Sequence, residues 1–285
     1  MLIEPFTVPF MRRALAELLL LALLGGVVSV FVLVRRLGFV ADTTTHTVFP
    51  GVVIGHLSAG AAGVLPGALV AAAVTAVLLT LLTRSGLVTD DTALAVLLAG
   101  MFGLGVVLVS RRPSFTSDLT AFLFGRLLAV TTAQLWQTAA VAAVVLGVLG
   151  LLRKELWLRA FDPVTSAAMG YRAWLLDLLL NVSVALVVVA AAQSVGTILV
   201  IALLVVPAAA GRLLSSRPLV ITLTGVAAAA LAGYGGLAVS YRASVTYGIP
   251  LASGATVVLV LIGLYVLALL WSSLSSRLEG VRGGA

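Results

Sequence analysis

Apolar stretches long enough to cross a bilayer follow one another almost without pause, at 14–34, 40–60, 64–83, 92–110, 134–152, 173–192, 195–211, 218–240 and 251–271. A helical span of the hydrocarbon layer takes about 20 predominantly apolar residues. Helices that are apolar all round have no polar face to offer water, whereas in lipid a helix satisfies its own backbone hydrogen bonds. The predicted fold is therefore all-α: a polytopic transmembrane helical bundle of eight or nine spanning helices, forming a single domain over 1–285. The links leave little room for anything else, some being as short as Arg35-Arg36 or Gly60-Ala61-Ala62-Gly63. Only 9% of residues are charged, against about 25% in soluble domains, too few to cover a water-facing surface. There is no cysteine, which excludes a disulfide framework, a thiolate metal site and a cysteine nucleophile.

A net charge of +7 would point to nucleic acid in a soluble chain. Here the basic residues are scattered through short loops, where they act as orientation signals, and no nucleic-acid partner is expected. With the N-terminus outside, the inner loops hold Arg35, Arg36, Arg84, Arg153, Lys154, Arg159, Arg172, Arg212, Arg217, Arg277 and Arg282. The outer side holds only Arg12, Arg13, Arg111, Arg112, Arg126 and Arg242. That excess predicts N-out and C-in, with 272–285 as a cytoplasmic tail. The first ten residues, with Glu4, Pro5 and Pro9, lack the order of a removable signal peptide, and none is expected.

The longest link, Arg153 to Arg172, carries four basic residues together with Glu155 and Asp162 and is placed in the cytoplasm. Within it, Phe161-Asp162-Pro163 followed by Gly170 reads as a short capped helix near 161–170. Asp162 can accept from the free N–H groups of the first turn, Pro163 suits that turn, and Gly170 ends it. Lipid headgroups and a protein partner are equally open as the surface it packs on. Asp118 to Thr132 is a further amphipathic piece, too short to span, that reads as re-entrant or interfacial. Recurrent small residues, among them Gly25-Gly26, Gly103 and Gly233, are explained by close helix packing alone.

Ionisable groups at membrane depth are costly, which makes the few present site candidates: Glu17, Asp42, His46, His56 and Asp177. Asp42 and His46 lie one helical turn apart on one face. One carboxylate and one imidazole so placed suit a shared divalent cation of the manganese, iron(II) or zinc kind. A hydrogen-bonded pair that merely neutralises itself fits the spacing equally well. Thr43-Thr44-Thr45 offers hydroxyls, either as ligands or as bonds back to the helix backbone. Pro50-Gly51 predicts a break that opens carbonyls to a cavity, so Thr45, Pro50 and Gly51 are pore-lining or hinge candidates. His56, well round the helix from His46, reads as an interior histidine. No G-x-x-x-x-G-K-[ST], H-E-x-x-H or G-x-S-x-G motif occurs. The chain by itself is therefore not expected to be an enzyme, nor to hold a tightly bound cofactor.

Several segments, taken together and in order, resemble one family. Asp42-Thr43-Thr44-Thr45-His46-Thr47-Val48-Phe49-Pro50-Gly51-Val52 resembles the D-x-x-x-H-x-x-x-P-G-V stretch of the permease subunits of manganese/zinc/iron ATP-binding-cassette importers. Asp118-Leu119-Thr120-Ala121-Phe122-Leu123-Phe124-Gly125, then Leu128-Ala129-Val130, is similar to their D-L-x-x-[YF]-L-F-G-x-x-L-x-V segment. Phe161-Asp162-Pro163 with Gly170 matches F-D-P-x(6)-G, and 193–200 with 202–209 match the paired spans that follow. Ser253-Gly254-Ala255 is similar to the small-residue start of the last span.

The resemblance implies a type II ABC importer-like permease of a bacterial cytoplasmic membrane. Such a permease moves a divalent transition-metal ion, manganese before zinc or iron, by alternating access. It also implies a second permease protomer, in the first place a homodimer, and a cytoplasmic ATP-binding-cassette ATPase dimer that binds the ATP. An extracytoplasmic metal-binding lipoprotein would deliver the ion. On the matching positions, Asp42 and His46 are metal contacts, while Phe161, Asp162, Pro163 and Gly170 belong to the ATPase-coupling helix. Where the family often has D-x-P-S-G, this chain has Pro250-Leu251-Ala252-Ser253-Gly254, which implies that a second ligand pair is absent. Three other readings differ in class or path. A proton- or sodium-driven secondary transporter needs no ATPase, and a scaffold would tolerate loss of both Asp42 and His46. An iron-chelate or vitamin permease would have a wider path with fewer ion ligands.

Overall fold

The computed structural model describes residues 6, 8–84, 86, 88–110, 125–249 and 251–282, without the side chains of 61 and 276–282. Among them every regular element is helical: α1 (Pro9–Val34), α2 (Gly38–Thr47), α3 (Phe49–Ala59), α4 (Ala61–Arg84), α5 (Asp90–Ser110), α6 (Thr132–Leu151), α7 (Arg153–Phe161), α8 (Pro163–Ala168), α9 (Ala173–Val195), α10 (Thr197–Leu214), α11 (Pro218–Tyr247) and α12 (Ser253–Arg282). Eight of these, α1, α4, α5, α6 and α9 to α12, are long and apolar enough to cross a membrane.

The ninth apolar stretch, 40–60, is not one straight span but α2 and α3 meeting at Val48. Pro50 lies in the first turn of α3, where it has no N–H to give and its ring crowds the carbonyl one turn back. The threonines add to the bend. Thr44, Thr45 and Thr47 donate their hydroxyls to the carbonyls of Val40, Asp42 and Thr44 at 2.7, 2.6 and 3.3 Å, an arrangement that bends helices. The break is partial, because the Val48 and Val52 N–H groups still reach the Thr44 and Val48 carbonyls at 3.3 and 3.1 Å. The result is a kinked rod.

At Gly60, with φ at 61°, the rod turns straight back into α4. The two helices then lie backbone to backbone: a Cβ at Gly51 would overlap the Gly67 carbonyl, and one at Gly55 the Gly63 carbonyl. Only glycine permits this approach. Between lipid-soluble helices the hydrophobic effect contributes little, so close van der Waals contact of this kind is what holds them.

α1, α9 and α10 are the most buried spans, and α5, α6 and α12 the most exposed. The core runs through Leu18, Leu21 and Leu24 of α1, Val184 and Val188 of α9, and Leu199 and Leu204 of α10. A carboxyl sits inside it. Glu17, fully buried, receives the hydroxyls of Thr138 (α6) and Ser194 (α9) on Oε1 at 2.8 and 2.7 Å, while Oε2 has no partner among the described residues. It thus pins three helices together.

Arg111, Arg112, Asp118 to Phe124 and Pro250 lie outside the described residues, so the expected amphipathic segment is visible only from Gly125. There Gly125 (φ 70°) sits on the Val195–Gly196 peptide so closely that a Cβ would overlap it. Leu127–Ala129 forms a single 3-10 turn, and a Thr131/Gln134 capping box starts α6. At the other end of the chain, 272–282 continues the last span as helix, so the expected tail is an extension of α12.

Candidate functional site

Asp42 and His46 project from α2 one turn apart, with His46 Nε2 3.9 Å from Asp42 Oδ1. Their side chains are 38% and 36% exposed, whereas Thr43, Thr44, Thr45 and Thr47 on the same helix are buried. α2 therefore turns its hydroxyls into the bundle and its two ionisable groups out of it. A separation of 3.9 Å is beyond a hydrogen bond, which for N–H···O runs to about 3.2 Å. Two ligands each about 2.0–2.2 Å from one tetrahedral ion stand about 3.3–3.6 Å apart, so a small rotation of either side chain would bring the two to a shared ion.

The imidazole is held from the side by α5: Phe102 meets it edge-on at 5.8 Å and 83°, and Phe49 of α3 backs Phe102 at 5.7 Å. Gly105 makes room for Phe49, since a Cβ there would overlap its ring. These aromatic supports were not legible in the sequence, where Phe102 is one apolar residue in an apolar run.

The neighbouring candidates are placed differently. Thr45 is 1% exposed and bonds back to its own helix, so it does not share the surface of Asp42 and His46. Pro50 and Gly51 fall on the α3–α4 hairpin, where they line an apolar groove of about 500 Å³ with Ile54, Gly63, Gly67 and Met101. His56 is half-buried near the far end of α3. No group of three or more His, Cys, Asp or Glu able to hold a metal occurs among the described residues of one chain. The Asp42–His46 pair is one carboxylate and one imidazole on the partly exposed face of a protomer.

The second candidate region is the α7–α8 link. Asp162 caps α8, accepting the Thr165 N–H at 2.9 Å, with Pro163 in the first turn and Gly170 just beyond at φ 82°. The Thr165 hydroxyl, then its N–H, hold the Asp162 carboxyl below the usual carboxylate range. Around the cap the apolar side chains face outward: Phe161, Val164 and Met169 are all well exposed. Trp157 of α7 stacks on Phe161 and meets Phe31 at a tilt of 41°, tying the link to α1.

Asp177 belongs to this same end of the bundle. Its carboxylate takes one guanidinium from Arg35, at the end of α1, and another from Arg159 of α7 at 3.0 Å. The three line a polar cavity of about 430 Å³ together with Arg36, Arg84 and Asp90.

Eight helices long and apolar enough to cross a membrane, with a kinked α2–α3 rod packed against α4 and α5, are the architecture of a multi-pass membrane protein. The chain belongs to the ABC 3 transport family, whose profile matches residues 7–272. It is 34% identical over 264 residues to the manganese transport system membrane protein MntC of Halalkalibacterium halodurans, covering 92% of this chain and 87% of that one. To the manganese import system permease protein ScaB of Streptococcus parasanguinis it is 34% identical over 239 residues, 84% of each chain. Among solved structures it is similar to PsaBC from Streptococcus pneumoniae in complex with Fab, with a TM-score of 0.79 at 27% identity over 94% of both chains.

Proposed function

We propose that this chain is the membrane-spanning subunit of an ATP-driven importer that carries Mn²⁺ into the cytoplasm, with Asp42 and His46 as its transient ion ligands. The observation that carries the reading is the open Asp42–His46 pair: 3.9 Å apart, half-exposed, and too far apart to satisfy itself by a hydrogen bond. A carboxylate with an imidazole is a donor set that suits Mn²⁺, and the manganese-named relatives favour that ion over zinc or iron. Two ligands do not desolvate a divalent cation. A second copy related by a two-fold axis supplies two more, giving two carboxylates and two imidazoles around one path. Such a site is strong enough to admit the ion and weak enough to release it.

In this reading the C-terminus and the α7–α8 link face the cytoplasm, in line with the excess of basic residues there. Phe161, Asp162, Pro163 and Gly170 present the link to an ATP-binding-cassette ATPase dimer. ATP binding and hydrolysis in that partner shift the permease between outward- and inward-facing states. An extracytoplasmic metal-binding lipoprotein delivers the ion from the opposite side.

The test is uptake of ⁵⁴Mn²⁺ by cells carrying Asp42→Ala or His46→Ala. Each substitution is expected to abolish uptake while permease and ATPase still co-purify. Unchanged uptake would overturn the assignment.

A further inference from the structure

Resting on that proposed function, we infer that Asp177 is a positioning residue of the transport cycle, the joint that carries movement of the α7–α8 link to the helix bearing Asp42 and His46. α2 has no chain connection to α7 or α8. It hangs from α1 by the turn Arg35-Arg36-Leu37, and at that turn the two parts of the molecule meet. Asp177 of α9 binds Arg35 with Oδ1 and Arg159 with Oδ2, the latter at 3.0 Å. Arg35 also donates from Nη1 to the carbonyl of Arg159 at 3.3 Å. One carboxylate thus joins the end of α1, the start of α9 and α7, and Arg35 grips both the backbone and the partner of Arg159.

The three side chains are only 21–26% exposed. Charge-assisted bonds at such a site are stronger and more directional than on an open surface. The Phe161–Trp157–Phe31 ring cluster packs α7 on α1.

The turn itself is built to respond. Arg36 has φ at 56°, the only positive φ at a non-glycine residue among the described residues. A side-chain-bearing residue stays there only when its surroundings enforce it. Here the C-cap of α1 enforces it: the N–H groups of Arg36 and Leu37 reach the carbonyls of Leu33 and Val32 at 3.2 and 2.7 Å, and Arg35 is the cap residue. When the ATPase displaces α8, the pull passes through Arg159 and Asp177 to Arg35, and the Arg36 turn changes the angle at which α2 leaves α1. Asp42 and His46 sit on that helix.

The experiment uses the permease–ATPase complex in proteoliposomes, with ATP enclosed, the metal-binding lipoprotein and ⁵⁴Mn²⁺ supplied outside, and ATP hydrolysis measured alongside. Asp177→Asn is expected to leave Mn²⁺ equilibrium binding to the complex unchanged and ATP hydrolysis within about two-fold, while ions moved per ATP fall about ten-fold. A merely structural role would move assembly and hydrolysis together with transport and leave that ratio alone. Arg159→Gln, which keeps a charge-balanced Arg35–Asp177 pair, is expected to lower the same ratio and decides the matter if Asp177→Asn does not assemble. Asp177→Glu should restore part of the ratio. An unchanged ratio in Arg159→Gln, with Mn²⁺ transport intact, would overturn this inference and leave the proposed function standing. Failure of the unsubstituted complex to bind or carry Mn²⁺ would overturn both.

Discussion

Gly55 offers a direct measure of how tightly the α3–α4 hairpin is closed. A Cβ at this position would overlap the carbonyl of Gly63, a backbone atom that cannot turn aside. Gly55→Ala therefore forces α3 and α4 apart by about 1 Å, and a gap of that size forfeits a quarter to a half of each atom–atom contact of about 0.1–0.2 kcal/mol. Over roughly 40–60 contacts, as many as one buried leucine makes, the loss is about 2–3 kcal/mol. At about 2–4 °C per kcal/mol for a chain of this size, the unfolding midpoint of the detergent-solubilised permease falls by about 5–10 °C. Gly100→Ala is the matched control: a Cβ there meets nothing within 4 Å. In an open helix, alanine is favoured over glycine by about 0.5–1 kcal/mol, so that midpoint should hold or rise. Scanning fluorimetry of the two variants beside the unsubstituted protein is sufficient. Equal midpoints for Gly55→Ala and Gly100→Ala would refute the close hairpin and with it the argument for its four glycines.

Thr138 and Ser194 share one acceptor, Oε1 of the buried Glu17, so their contributions should not add. Thr138→Val or Ser194→Ala leaves the carboxyl one donor, whereas the double variant strands it, and a double-mutant cycle should show a coupling of about 0.5–3 kcal/mol; strict additivity would count against the shared acceptor. At the link, Asp162→Arg should weaken recovery of the ATPase with the permease while the permease loses no more than the worth of one helix cap, about 0.5–2 kcal/mol, and full co-purification would argue against docking there. The Asp162 carboxyl lies below its ordinary value of 3.8 in the folded chain. Its capping contribution is therefore complete above that value and is lost only as pH falls through the lowered one. Amide protection of Thr165 should be flat between about pH 5 and pH 8, and a decline within that window would show the cap to be absent.

The parts of this molecule that were legible in its sequence are those set by neighbours along the chain. Spanning helices announce themselves by uninterrupted apolar length, and the α8 cap depends on Asp162, Pro163 and Gly170 alone. The kink was half legible. Pro50 marked it, yet 40–60 still read as one crossing, because a threonine hydroxyl that serves as a ligand and one that bonds back differ only in side-chain rotamer. Thr45 shows the consequence, standing beside Asp42 in sequence but facing the interior. Asp177 was legible as a costly charge and not as a joint, since Arg35 lies 142 residues away. Phe102 carried no signal at all, as its service to His46 depends on how α5 packs on α2.

The outward aim of Asp42 and His46 bears on how the protein is made. A newly inserted protomer carries a carboxylate and an imidazole on a partly exposed face, and an aspartate left against hydrocarbon costs up to about 2.5–3.5 kcal/mol. In the proposed dimer the second copy turns that face towards the ion path and away from lipid. An unmated subunit is thus the less stable species in the membrane, and a cell has a thermodynamic means of telling finished permease from surplus chains before any ion is carried.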